Sequence, residues 1–259
     1  MNDSILLMLK LVLAHILGDF ALQSNAMNLG KRGIRKDKQT GEEIPITRSK
    51  QLAHLVLHSG THSVLAYLIV CKPSYWIIPL VTFVSHFLID LLKIKFSQAK
   101  SIRAFTIDQV CHLMIIVGLT YFYRSQFGNI FQYLGEKDVY GRIIVLIIAY
   151  LIIAKPTSIL LDLCLKQLTP NAICTDGLNN GGKWIGYLER FLIVTFILLN
   201  NFGAIGFLVT AKSIFRFGEL NKGKELKTTE YVLIGTLASF TIAIVVGLVS
   251  KLLLNITPY

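Results

Sequence analysis

Runs of about 20 mostly apolar residues recur along this chain, and they constrain its fold more than any other feature. A helix that crosses a lipid bilayer needs roughly 20 such residues. The chain has 259 residues, of which 53% are hydrophobic and only 16% are charged, whereas a soluble domain carries about 25% charged residues. The composition therefore predicts an all-α, polytopic membrane protein with about eight transmembrane helices.

The predicted spans fall into two groups along the chain. The first four lie within residues 1–123 and are predicted to form one helical bundle. Residues 143–259 are predicted to form a second bundle that packs on the first in one integral unit. Pro156 interrupts the fifth span and predicts a kink there, because proline removes a backbone donor. The eight predicted spans are residues 5–22, 52–71, 75–92, 105–123, 143–165, 184–199, 204–217 and 231–254.

Basic residues orient these spans in the membrane. Lysine and arginine number 26 against 15 acidic residues, which gives a formal net charge of +11. If the N-terminus is external, most of the basic residues fall in cytoplasmic loops, above all in residues 23–51, as the positive-inside rule requires. The charge therefore indicates contact with anionic membrane lipid and argues against nucleic acid as a partner.

All six histidines lie before residue 113, and each is four residues from an aspartate or another histidine. Side chains four apart share one face of a helix. On the predicted topology these faces stand at one depth, in the cytoplasmic half of four neighbouring spans. The sets are His15 with Asp19, the ladder of His54, His58 and His62, His86 with Asp90, and Asp108 with His112.

Imidazole and carboxylate groups at this spacing suit a divalent metal ion, with zinc as the first choice and manganese or iron as alternatives. Ionisable groups inside a span are costly and usually pair or mark a functional site. Four faces offer more ligands than one ion needs, so either two ions bind or some of these residues support the ligands. The predicted ligands are His15, Asp19, His54, His58, His86, Asp90, Asp108 and His112.

A metal site of this kind predicts a hydrolase. An aspartate can take a proton from metal-bound water, and Asp19, Asp90 and Asp108 are the candidates. Lys93 and Lys50 are placed to hold an anionic oxygen such as that of a lipid phosphate. Two alternatives remain open: a transporter or proton-coupled carrier that uses the same set as a relay, and a structural or signalling membrane component without chemistry.

The second half carries a different polar set, for which ion pairs between helices and a functional role both remain open. Its members are Glu189, Arg190, Lys212 and Arg216. The sequence does not define the substrate or the oligomeric state.

The histidine motifs resemble those of a bacterial membrane-protein family catalogued only as a domain of unknown function. The resemblance rests on His15–Gln23 (HxxGDFxxQ), on the His54/His58 pair, on His86–Lys93 (HxxIDxxK) and on Asp108–His112 (DQxxH). It implies a multi-pass protein of the bacterial cytoplasmic membrane, without an established activity. His62 is not part of the family pattern, so the resemblance ranks it lower as a ligand.

A looser resemblance is to membrane-bound, metal-dependent hydrolases with intramembrane His-x-x-x-Asp motifs. It rests on the spacings from His58 to His62 and from His86 to Asp90. This likeness implies hydrolysis, and we expect a lipid or lipid-linked substrate that enters from the cytoplasmic leaflet.

Overall fold

The computed structural model of this chain is almost entirely helical. It describes residues 3–37, 39–96, 101–123, 139–168, 181–220 and 226–255, with backbone alone at residues 3, 168, 215–220 and 226–230. Contacts between residues divide the chain into two compact units, Met1–Ile144 and Val145–Tyr259. The expectation that the two halves pack as one integral unit stays a prediction.

The first unit holds long helices and one short hairpin. Its helices in the described residues are α1 (Asp3–Ile16), α2 (Asn25–Lys31), α3 (Arg48–Val70), α4 (Ile77–Phe96) and α5 (Ile102–Tyr123). A π-helical turn, Leu17–Ala21, continues α1, and a 3-10 turn, Pro73–Tyr75, precedes α4. Strands β1 (Ile34–Lys36) and β2 (Glu43–Pro45) pair antiparallel, with Ile34 opposite Pro45.

Six helical segments of the described chain are long and apolar enough to cross a membrane. They confirm the predicted helical class and support a multi-pass membrane protein, but they do not confirm the count of eight. The predicted sixth and seventh spans are not among them, because one carries several charges and the apolar part of the other is short, Phe202–Ile214. The six segments are Ser4–Ala21, Arg48–Val70, Pro73–Phe96, Ile102–Tyr123, Val139–Gln167 and Tyr231–Leu253.

The outer faces of these helices carry large exposed apolar side chains. On α3, Leu57, Val64 and Leu68 are each more than half exposed. Contiguous apolar surface of this kind marks a face that contacts lipid or another protein. In a bilayer these side chains lie against the acyl chains, while the polar residues face the interior of the bundle.

Helices α1, α3, α4 and α5 form the first bundle, in which α1 and α4 each contact both α3 and α5. The bundle has an apolar half and a polar half. Along α4, buried Ile78 precedes His86, whereas along α5 buried Ile116 follows His112. Because successive helices run in opposite directions, these orders place the apolar residues at one end of the bundle and the histidines at the other. The apolar core consists of Leu7, Leu11, Ala14, Ala66, Val70, Ile78, Ile116 and Leu119.

The second unit is built on α10 (Leu226–Leu253), which packs on α7 (Lys155–Leu168) and on α8 (Gly181–Leu198); α9 (Phe202–Leu220) packs on α8. Helix α6 (Val139–Ile153) leads into it. Its buried apolar core comprises Ile153, Ile193, Val194, Ile197, Phe240 and Ala243.

The kink predicted at Pro156 is present as a break between α6 and α7 at Ala154. Pro156 has no backbone N–H, so the carbonyl four residues earlier, that of Ile152, loses its helical donor. The Thr157 hydroxyl donates to that carbonyl at 2.7 Å instead. A side chain therefore satisfies the backbone group that the proline leaves free.

Arg190 supports the same break from α8. Its Nε donates to the carbonyl of Ile153 at 2.6 Å, and its other nitrogens donate to the hydroxyls of Ser239 at 3.0 Å and Ser158 at 2.7 Å. Only 3% of Arg190 is exposed. This guanidinium thus links α8 to α6, α7 and α10, which favours the structural interpretation of the polar set.

Two other members of the polar set of the second half, Glu189 and Lys212, form an ion pair. Lys212 on α9 donates to Glu189 on α8 at 2.7 Å. The side chain of Arg216 lies outside the described residues. An ion pair between neighbouring helices in a low-dielectric environment fixes their relative position, and it explains two charges inside a helical bundle without invoking catalysis.

Candidate metal centre

Asp19 lies at the centre of the polar half of the first bundle. It belongs to the π-helical turn after α1, a type of irregularity that often occurs at functional sites. Its Oδ1 stands 3.1 Å from Nε2 of His58, 3.2 Å from Nε2 of His62 and 3.3 Å from Nε2 of His86. Three imidazoles from α3 and α4 therefore face one carboxylate oxygen.

The second oxygen of Asp19 faces α1 and α5. Nε2 of His15 lies 3.6 Å from Oδ2, and the amide Nε2 of Gln109 donates to Oδ2 at 3.3 Å. The amide oxygen of Gln109 lies 3.2 Å from Nε2 of His15. One carboxylate thus contacts side chains from all four helices of the bundle.

Three imidazoles form a stacked column beside this carboxylate. The ring centroids of His62 and His86 are 3.6 Å apart with 24° between the planes, and those of His86 and His112 are 3.9 Å apart with 22°. The ring of His15 lies 4.9 Å from that of His112. Charged rings this close would repel one another strongly in a buried site, and neutral imidazole is the form that binds metal ions.

Asp108 and Lys93 form an ion pair at the edge of the column. Lys93 Nζ donates to Oδ2 of Asp108 at 2.7 Å, while Oδ1 lies 3.6 Å from Nε2 of His112. The side chain of Lys93 is 37% exposed and that of Asp108 only 4%. The ammonium group therefore connects a buried carboxylate to the surface of the bundle.

Lys31, which the sequence did not single out, enters the site from α2. Its Nζ donates to Oδ2 of Asp90 at 2.7 Å, and both side chains are less than one-tenth exposed. Nε2 of His58 lies 3.6 Å from the same oxygen. Asp90 therefore neutralises a buried lysine at the border of the histidine cluster.

His54 packs against α2 at Gly30 and belongs to none of the ligand groups of the described residues. A Cβ on Gly30 would lie 2.3 to 2.5 Å from the ring of His54, so only glycine allows this approach. One turn earlier on α3, the amide of Gln51 donates to the carbonyl of Lys31 at 2.9 Å. The first turns of α3 thus serve as a platform for α2.

Gly18 in the HxxGD motif allows the ring of His62 to approach closely, as Gly30 does for His54. A Cβ on Gly18 would lie 2.4 to 2.7 Å from three atoms of the His62 ring, closer than real Cβ contacts occur. The glycine next to Asp19 therefore leaves the space in which His62 approaches this carboxylate. The motif and the third histidine of the ladder belong to one structural unit.

Within the described residues, three groups of side chains bring their ligand atoms to within 4.8 Å of one another and can hold a metal ion. A small cavity of about 30 Å³, room for about two water molecules, lies between the histidine column and the apolar core. It is bordered by His15, His62, His86 and His112 together with Leu11 and Ile116. The groups are Asp19 with His58, His62 and His86; His15 with His86 and His112; and Asp19 with Asp108 and His112.

These groups contain most of the predicted ligands, and they differ from the prediction at three positions. His54 packs on Gly30, and Asp90 pairs with Lys31; neither belongs to a ligand group of the described chain. His62, which the family pattern ranked lower, stands at the centre. Lys50, which like Lys93 was predicted to hold an anionic oxygen, is exposed near the start of α3. The predicted ligands that converge are His15, Asp19, His58, His86, Asp108 and His112.

The chain belongs to the family described as "Protein of unknown function (DUF3307)", whose model matches residues 7–140. This range includes every histidine of the cluster and confirms the predicted resemblance to a family of unknown function. No curated protein and no solved structure matches the chain.

Proposed function

We propose that this member of the family is a membrane-embedded, metal-dependent hydrolase whose divalent ion is held by Asp19, His58, His62 and His86. The observation that carries the proposal is the convergence of three buried imidazole nitrogens on one carboxylate oxygen at 3.1 to 3.3 Å. Ligand atoms around a tetrahedral ion at roughly 2.0 to 2.1 Å stand about 3.3 Å apart. The spacing supports an ion of zinc-like size and geometry.

The balance of charge in the site supports the same conclusion. Lys31 pairs with Asp90 and Lys93 pairs with Asp108, so two of the three carboxylates at the site have a cationic partner. Asp19 faces imidazoles and an amide instead. A buried charge is normally paired or bound to a metal, and a divalent ion supplies the missing positive charge. Imidazole with carboxylate favours zinc, and manganese or iron is the alternative.

The side chains around this centre suit hydrolysis. A divalent ion makes water nucleophilic at neutral pH. Asp108 is the best-placed proton acceptor outside the four ligands, because its Oδ1 faces His112 and lies within the ligand groups. Lys93 bonds the other oxygen of Asp108 and is partly exposed, so it is positioned to attract an anionic group of a lipid or lipid-linked substrate.

The membrane placement that we propose follows the distribution of charge. We propose that the chain lies in the cytoplasmic membrane with an external N-terminus and eight spans. This topology places residues 23–51 in the cytoplasm and the histidine cluster in the cytoplasmic leaflet. If α8 and α9 do not cross, six spans remain and every other loop keeps its side, because those two helices are consecutive. The site then opens towards cytoplasmic lipid in either case.

The apolar half of the bundle favours a closed site over a transport path. Among the described residues, most of the core beyond the histidines is formed by aliphatic side chains such as Leu11 and Ile116, and the buried Thr120 hydroxyl there donates to the carbonyl of Ile116 at 2.8 Å. Ions and protons that cross a membrane need a polar or hydrated route. The first bundle therefore supports a reaction centre that is reached from one side.

Elemental analysis of the detergent-purified protein tests the proposal. We expect bound zinc, manganese or iron in the wild type and a loss of at least tenfold in metal affinity in His58→Ala or His86→Ala. His54→Ala is the matched control, because it removes an imidazole from the same helix but outside the ligand groups. A metal-free wild type under saturating zinc, or equal losses in His58→Ala and His54→Ala, would refute the metal centre.

Catalysis is tested with phosphoester and carboxyl-ester lipids in mixed micelles. We expect hydrolysis that a chelator abolishes, that returns with the metal and that Asp108→Asn reduces by about 100-fold or more, in the range for loss of a general base. Bound metal without turnover of either ester class would leave a metal centre and refute the hydrolase.

A further inference from the structure

The ligand atoms of this site are gathered around two points. The first is the Asp19 oxygen that faces His58 and His62 from α3. The second lies towards α5, where Asp108 and His112 form a ligand group with Asp19. The side chains at the second point are surplus to a single four-coordinate ion.

The carboxylate of Asp19 has the orientation of a bridge between these points. Its Oδ1 faces the imidazoles of α3 and α4, whereas Oδ2 faces α1 and α5, where it lies 3.6 Å from His15 and accepts from Gln109. One carboxylate that presents each oxygen to a different set of donors can bind two ions at once.

Unsatisfied polar atoms mark both points. In the described part of the chain, Nε2 of His62 at the first point has no hydrogen-bond partner, and neither do Oδ1 of Asp108 and Nε2 of His112 at the second. His112 and Asp108 are 3% and 5% exposed, and these two atoms are 3.6 Å apart. Buried polar atoms normally have a partner, and an ion between them would satisfy both.

We propose that the centre is dinuclear, with a second divalent ion held by His15, Asp108 and His112 and with Asp19 bridging the two ions. The assignment rests on the function proposed above and extends it, and it changes one role: with the second ion bound, Asp108 is a ligand instead of the proton acceptor. His86 is a member of ligand groups on both sides, and it stays a ligand of the first ion because its Nε2 lies 3.3 Å from Oδ1 of Asp19.

Two ions determine the class of substrate. Pairs of divalent ions about 3.5 to 4 Å apart stabilise both the attacking and the leaving oxygen of an in-line displacement at phosphorus. Lys93 at the edge of the second point carries a partly exposed positive charge. A phosphoester lipid fits this combination better than a carboxyl ester.

The metal stoichiometry of the full-length protein in detergent tests the second ion. The protein is stripped with a chelator, reloaded with Mn²⁺ and analysed for manganese per chain and by electron paramagnetic resonance. We expect two ions and the signal of a coupled pair in the wild type, and one ion with an isolated Mn²⁺ signal in His112→Ala. His54→Ala should keep two ions and the coupled signal.

Asp108→Asn provides a second reading if His112→Ala does not purify as a monodisperse protein, and it should also retain one ion. One ion in the wild type, unchanged by either variant, would overturn the second site but leave the proposed mononuclear hydrolase. Loss of all metal from folded His112→Ala would overturn the assignment of separate points. No manganese or zinc in the wild type would overturn both proposals.

Discussion

Replacement of Gly18 by alanine should weaken metal binding, although Gly18 has no ligand atom. The new methyl group would lie 2.4 Å from Cε1 and 2.5 Å from Nε2 of His62, whereas ordinary contact begins at 3.4 Å. The ring must therefore retreat by roughly 1 Å, which exceeds the tolerance of about 0.2 Å on metal–ligand distances. It cannot retreat freely, because the ring of His86 is stacked on it at 3.6 Å.

The expected magnitude follows from the loss of one well-placed ligand. Disturbing a group that positions a metal ligand typically costs 10- to 100-fold in affinity, which is about 1.4 to 2.8 kcal/mol. The affinity of the detergent-solubilised protein for zinc, measured by competition with a chromophoric chelator, should fall by this factor. Gly18→Ala should still purify as a folded protein, since the added group is small.

Two further variants make the result interpretable. Gly60→Ala is the matched control, because it also adds a methyl group to a helical glycine of the first bundle but has no described atom within 4 Å; its zinc affinity should equal that of the wild type. Combining Gly18→Ala with His62→Ala should weaken binding no more than His62→Ala alone, since the clash has gone. A Gly18→Ala affinity within twofold of the wild type would show that His62 is not a ligand.

Three other variants test the surroundings of the site and the membrane placement. Lys31→Met leaves Asp90 buried without its cation and should cost about 3 to 5 kcal/mol of stability. Thermal unfolding in detergent should show that adding Asp90→Asn to this variant restores much of the lost stability. Losses that simply add would contradict the pairing. Arg190→Met should lower the unfolding temperature without changing bound metal, and loss of metal at unchanged stability would place Arg190 in the site. In intact cells, exposed Cys71 should react with a membrane-impermeant maleimide, whereas Lys36→Cys in a background of Cys71→Ser should not; labelling of both would refute the topology.

Hydrophobicity defined most of the fold, because in lipid the helix is nearly the only way to satisfy the backbone. The apolar runs predicted every long helix of the first bundle and the break beside Pro156. They did not predict α2 or the hairpin of β1 and β2, which lie in the polar segment between the first two spans. Such short elements depend on local caps, such as the Ser24 hydroxyl that accepts the N–H of Met27 at 3.1 Å, and on contacts made after the bundle has formed.

The position of α2 also explains where the ligand groups of the structure differ from the predicted set. Spacing showed which side chains share a helical face, and the antiparallel order of the helices showed that those faces stand at one level. Spacing could not show that α2 would cover the first turns of α3. In the structure His54 packs on Gly30 and Asp90 pairs with Lys31, and neither residue belongs to a ligand group of the described chain.

His62 shows the opposite case, in which the ladder contained more information than the family pattern. The family pattern includes His54 and His58 on one face of α3 and ranks His62, one turn beyond His58, below them. The carboxylate that organises the site is Asp19, which lies level with His58 and His62 because α1 extends through a π-helical turn. The position of Asp19 along the bundle therefore decides which two of the three histidines lie beside its carboxylate. When a helix carries more histidines in a row than one site can use, the element packed against it decides which of them face the site. Here that element is the turn after α1, where Gly18 has no side chain and the ring of His62 fits.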